Sequence, residues 1–115
     1  PEAALTIRCP NFGSVERRLF ARWWSGLDVP RHLQHFTRPT LASLLERCGL
    51  DVVRIRPQLD YASPSFSLAL FLHDALKLRS RFQPNPRLYL ACLPLVALGR
   101  ALGAAGMIEL EARRR

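Results

Sequence analysis

The sequence predicts one α/β domain with three strands and helices between them, on three observations. Residues 4–9 alternate, with Leu5, Ile7 and Cys9 on one side and Thr6 and Arg8 on the other; residues 51–56 and 107–112 alternate too. Thr37 and Gly49 bracket an apolar pattern of helical length. Two further apolar stretches, 66–81 and 87–102, are too long for strands. At 115 residues there is material for one hydrophobic core and not for two.

Each element follows from its residues. Pro10 ends the first strand, and Ser14 is placed to cap a helix in which Val15, Leu19 and Trp23 recur every four residues. Gly26 and Pro30 bound the loop that follows. Thr37 caps the next helix, with Pro39 tolerated in its first turn and Leu41, Leu44, Leu45 and Cys48 as its apolar face. Gly49 suits the left-handed residue that ends a helix. In the second strand Val53 and Ile55 share one face, and Val52, Arg54 and Arg56 the other. Ser63-Pro64 or Ser65 begins the next helix. Pro84 and Pro86 break the chain, and the following helix is kinked or stopped near Pro94. Gly103 and Gly106 turn the chain into the last strand.

Composition excludes several classes. A hydrophobic share of 49% with 23% charged residues is that of a folded protein, which argues against wholesale disorder. The net charge of +8 is carried almost wholly by arginine, since Lys77 is the single lysine. Arginine with abundant Ala and Leu follows from a G+C-rich coding sequence, or from an anion-binding surface. The arginines are scattered rather than set in a stripe with aromatics, so no nucleic acid is expected as a partner. Cys9, Cys48 and Cys92 are odd in number and far apart, which points to a reducing, cytoplasmic compartment. Residues 1–11 lack the pattern of a secretory signal. They begin directly on a strand, as expected of a segment of a longer chain. The nearly uncharged run 88–99 is about half of the ~20 residues a membrane span needs, which leaves core packing or an interfacial position.

Candidate site residues concentrate in the loop after the first helix. Trp24, Arg31, His32 and His35 lie close together there, and Asn11 stands just past the first strand, where open α/β sheets place ligands. The histidines either line an acceptor pocket, as orienting groups or general bases, or bond loop backbone. As metal ligands they lack a third partner beyond Asp28. Trp23 belongs to the helix's apolar face, whereas Trp24 points elsewhere and is the better pocket wall. Asn11 could equally bond its own turn, and His73 reads as a partly buried helix histidine.

The run Leu5-Thr6-Ile7-Arg8-Cys9-Pro10-Asn11, then Leu27-Asp28-Val29-Pro30-Arg31-His32-Leu33-Gln34-His35-Phe36-Thr37, then a helix closing on Cys48-Gly49-Leu50, carries a resemblance. It resembles the C-terminal half of class I S-adenosylmethionine-dependent methyltransferases, in the branch where a strand ending in PN leads to PRHLxHF. Gly106-Met107-Ile108-Glu109-Leu110 looks like that fold's closing strand. The match is weak between residues 61 and 87. The resemblance implies a Rossmann-like half-fold: a three-stranded mixed sheet in which the family's seventh strand lies between its fifth and sixth.

That family holds S-adenosylmethionine on a GxGxG loop after its first strand and on an acidic residue after its second, both in its N-terminal half. Neither is present here, since Gly99, Gly103 and Gly106 have the wrong spacing and follow a helix. The expectation is therefore a chain that supplies the acceptor side of a methyltransferase and binds no cofactor alone. Its acceptor would be a small or lipid-like molecule. The edge bearing Leu5, Ile7 and Cys9 would lose its usual neighbour, so a homodimer or higher oligomer is expected, built across that edge or by exchanged helices. A binding module without chemistry and a membrane-surface protein are the competing readings.

Overall fold

A computed structural model describes residues 4–60, 62–78 and 83–115; the expected helical residues 79–81 lie outside them. The strands are β1 (Ala4–Pro10), β2 (Leu50–Gln58) and β3 (Met107–Arg114). The helices are α1 (Val15–Phe20), α2 (Arg38–Arg47), α3 (Ala62–Ala75) and α4 (Pro86–Ala101), with two short 3₁₀ turns, Ala21–Trp23 and Ser25–Leu27, after α1. The three strands form one sheet in the order β1-β3-β2, with β3 antiparallel to both neighbours. The sheet is thus wholly antiparallel rather than mixed, because β1 and β2 share a direction but never touch.

The two faces of the sheet differ in kind. On one face Ile108, Leu110 and Ala112 of β3 pack with Leu41 and Leu45 of α2, flanked by Ile7, Cys9, Val52 and Ile55. The other face is built of cross-strand polar rows: Arg8 opposite Glu109 opposite Arg56, and Thr6 opposite Glu111 opposite Arg54. Gln58 and Arg8 both donate to the Glu109 carboxylate. Those bonds, the Gln58 amide's first, hold it below the usual carboxylate range. A face of paired charges is suited to water, as antiparallel sheets allow and buried parallel sheets do not.

β2 corrects the simple alternation. A register shift between Val52 and Arg54 makes Val53 an extra residue, so Val52 and Ile55 reach the core side while Val53 is exposed. In α2 only Leu41 and Leu45 are buried; Leu44 and Cys48 are exposed. Thr37 caps α2 through a reciprocal pair with Thr40. Gly49 has φ +77°, the left-handed value expected at that end.

The helices α1, α3 and α4 pack on one another beyond the end of the sheet, giving an elongated molecule of 52 × 29 × 24 Å. Asp60 caps α3 by accepting from the Ala62 and Ser63 amides. Asn85 does the same for α4 through the Arg87 and Leu88 amides. Pro94 does not stop α4, which runs unbroken from Pro86 to Ala101. The bond that Pro94 cannot make falls on the exposed side of the helix, where water can take it up.

One seam joins the sheet to the helices. Asn11 donates its backbone N–H to Gly106 O (2.8 Å) and its Nδ2 to Ala105 O (2.9 Å). Its Oδ1 accepts from Gly13 N, and Phe12 N–H bonds Phe36 O. The Asn11 side chain is buried and wholly occupied by backbone, which makes it a structural latch rather than a pocket residue. Removing it would orphan a buried carbonyl and an amide, at about 1–3 kcal/mol each.

Candidate functional site

The loop from Trp24 to Phe36 reaches back to the carboxyl end of β1, where Asn11 and Phe36 form an isolated parallel bridge. Short local bonds shape it. Ser25 N–H and Oγ bond Ser67 and Ser63 of α3, tying the loop's start to that helix. Asp28 adopts a left-handed φ of +36°, and its carboxylate pairs with Arg31 at 2.9 Å. The Asp28 carbonyl accepts the His32 amide.

Both histidines brace this loop. His32 Nδ1 lies 3.2 Å from Gly26 O, and His35 Nε2 lies 2.9 Å from Leu27 O. A carbonyl oxygen only accepts, so each bonded nitrogen carries the hydrogen. In the neutral rings, Nε2 of His32 and Nδ1 of His35 are then left as proton acceptors. The rings stand edge to face, 6.5 Å apart. Phe12 lies 5.7 Å from His35, and Arg17 covers the Phe12 ring at 4.2 Å.

Arg31, His32 and His35 line one cleft of about 300 Å³ together with Cys9, Pro10 and Phe36. Three of the five expected site residues therefore meet at the end of β1. The other two do not. Asn11 is the latch described above, and Trp24 is a core residue only 1% exposed, its ring 6.1 Å from Phe12 and 6.4 Å from His35. With Arg31 it borders a separate hollow of about 680 Å³. Gly26 has no side chain because one would run into the Trp24 ring. On the far side of Arg31 a broader hollow of about 690 Å³ is lined by Asp28, Phe66, Leu70 and His73.

The tryptophan assignment reverses for a geometric reason. The buried stripe of α1 and its extension is Glu16, Phe20 and Trp24, one residue out of step with Val15, Leu19 and Trp23. A carboxylate in the true stripe disguised it. Trp23 instead lies at the surface, its Nε1 bonded to Asp74 and its ring against Phe71, beside an apolar hollow of about 330 Å³.

Glu16 is the titratable group that the pattern concealed. It is 3% exposed, Oε2 has no partner, and both carboxylate oxygens fill the space that a side chain on Gly106 would need. Burial, and next the charge of Asp60, raise its pKa to about 7, against an opposing hydrogen bond from Ser63. A signal was present in the glycine at 106, but nothing in sequence links it to residue 16. Burial pushes the Cys9 and Cys92 thiols up, which makes neither of these two an activated nucleophile. Among the described residues no three His, Cys, Asp or Glu side chains are grouped as metal ligands.

The chemistry open to the cleft is binding and proton acceptance: two imidazoles with a free nitrogen each, and a guanidinium neutralised by Asp28. Three of the glycines are closed to an approaching ligand. Gly13, in the turn after β1, faces Asn11 Oδ1 at 3.3 Å, Gly99 backs onto Ala104 and Ala105, and Gly106 onto Glu16. Gly49, which has open space around it, and Gly103, approached only by the Arg38 guanidinium at 3.6 Å, end helices rather than following a strand.

Glu16 generates a pH prediction. Its folded pKa of about 7 lies above the ordinary 4.5, so the folded state holds the proton more tightly. The contribution of Glu16 to stability is therefore fully present below about 4.5 and is lost as pH rises through 7, by about 3 kcal/mol in total at ~1.4 kcal/mol per unit. Glu16→Gln should remove this slope and raise Tm above pH 7; an unchanged slope in the variant would assign it to another group.

Comparison with known protein families, curated proteins and solved structures finds no match to this chain.

Proposed function

We propose that this chain forms the acceptor side of a class I S-adenosylmethionine-dependent methyltransferase, the cofactor being held by residues outside it. The observation that supports this best is the sheet order: the last strand of the chain lies between the first two, antiparallel to each. The resemblance in the PN turn and PRHLxHF segment implies that arrangement, and a hairpin or meander would not produce it. A second support is the position of the histidine cleft, at the carboxyl end of β1, where such sheets place their ligands.

In this reading the chain's own residues position rather than activate. Methyl transfer asks chiefly for an acceptor held in line and shielded from water. Arg31 would orient an acceptor at the cleft mouth, and the free nitrogens of His32 and His35 would accept a hydroxyl or amine hydrogen bond, or its proton. When bound, the cofactor supplies the electrophilic methyl group; no step of that transfer is assigned to a residue here. The acceptor is a small or lipid-like molecule.

Two measurements test the reading. Calorimetric titration of S-adenosylmethionine into this chain should give no saturable heat, whereas a polypeptide joining it to a strand, glycine loop and helix should bind and transfer methyl groups. In that longer protein, changing both His32 and His35 to Gln should lower turnover by roughly tenfold or more. Saturable cofactor binding by this chain alone, or unaltered turnover in the double variant, would contradict it.

The free edge of β1 carries a related proposal. Among the described residues no strand pairs with its outer side, and an open strand edge recruits a neighbour. In the isolated chain that neighbour is a second copy, so sedimentation velocity should give a concentration-dependent dimer. A monomer at all concentrations would remove self-pairing.

A further inference from the structure

The outer face of α4 is apolar where a surface helix is normally polar. Its buried stripe is Leu88, Cys92, Val96 and Gly99. On the opposite side, at the same helical spacing, stand Leu90, Leu93, Pro94, Ala97 and Leu98, all exposed, with Leu90 at 65% and Leu98 at 47%. Leu102, just past the helix, is 64% exposed. The residues flanking this face are basic: Arg87 in the first turn and Arg100 in the last. α4 carries no acidic residue. Of the acids on α1 and α3, Glu16 is buried and Asp74 is bonded to Arg22 and Trp23. The charges around the apolar face are thus of one sign.

We infer that α4 lies flat on an anionic phospholipid surface, with Leu90, Leu93 and Leu98 among the acyl chains and Arg87 and Arg100 at the headgroups. Length excludes a crossing. Sixteen residues rise about 24 Å against a hydrocarbon core of about 30 Å, and no helix among the described residues is long and apolar enough to span a membrane. Charge argues against a second copy as the occupant. Two α4 helices paired antiparallel about Pro94 would set Arg87 beside the other chain's Arg100 at both ends, whereas lipid phosphates neutralise all four. The overall charge of +8 adds long-range attraction to the same surface. The inference is independent of the methyltransferase reading.

Co-sedimentation with vesicles of phosphatidylglycerol and phosphatidylcholine, against phosphatidylcholine alone, tests it. The chain should bind the anionic vesicles and scarcely bind the neutral ones. The triple variant L90S/L93S/L98S, whose changes are all at exposed positions, should bind about tenfold more weakly or worse while keeping its circular dichroism spectrum. R87E/R100E should lose binding similarly. Wild-type binding by the triple variant would reduce the attraction to charge alone and overturn the proposal. So would failure of the wild type to bind, including the case where it forms a dimer that the triple variant dissolves.

Discussion

The meeting of Asn11, Gly106 and Glu16 is the constraint on which the rest of the molecule depends. Four chain segments converge there: the end of β1, the start of β3, the loop at Phe36 and the first turn of α1, whose Val15 amide bonds Ala104 O at 3.0 Å. Asn11 supplies three hydrogen bonds to it, and Gly106 supplies the space that a buried carboxylate occupies. Neither could be exchanged cheaply, since one satisfies buried backbone groups and the other is defined by a missing Cβ. Without this seam the sheet with α2 and the three-helix cluster would have little in common beyond the connecting chain.

The seam also sets the chemistry. Because Phe12 bonds Phe36, the loop is drawn to the carboxyl end of β1, and its histidines are turned inward to brace the carbonyls of Gly26 and Leu27. Bracing and function need not compete. A ring fixed through one nitrogen presents the other in a defined place and tautomer, which is what an orienting group for an acceptor requires. The helices on the far side of the seam use their apolar residues differently: one face of α4 closes the core, and the other stands free above water or lipid.

Much of this was legible in the sequence, and the failures share a cause. The strands and the Thr37 and Gly49 boundaries of α2 follow from local rules, because alternation, capping and left-handed backbone are decided within a few residues. Three expected site residues meet in one cleft because they are neighbours on one loop. Burial of Trp24 rather than Trp23 was hidden because Glu16 occupies the buried stripe, and a carboxylate is not expected there unless Gly106, ninety residues away, makes room. The bulge at Val53 depends on how β2 pairs with β3, again a long-range fact. Pro94 was expected to kink or stop α4, but the carbonyl it leaves free lies on the open side, so the helix continues.

If the seam makes one cooperative unit of the sheet and the helices, they must open together. Native-state hydrogen exchange across a denaturant series measures this directly, comparing the Leu110 amide in β3 with the Val96 amide in α4. A single opening free energy, with both isotherms merging, is the predicted result. Exchange of Val96 through a separate, less costly opening while Leu110 stays protected would show two independent parts and contradict the account.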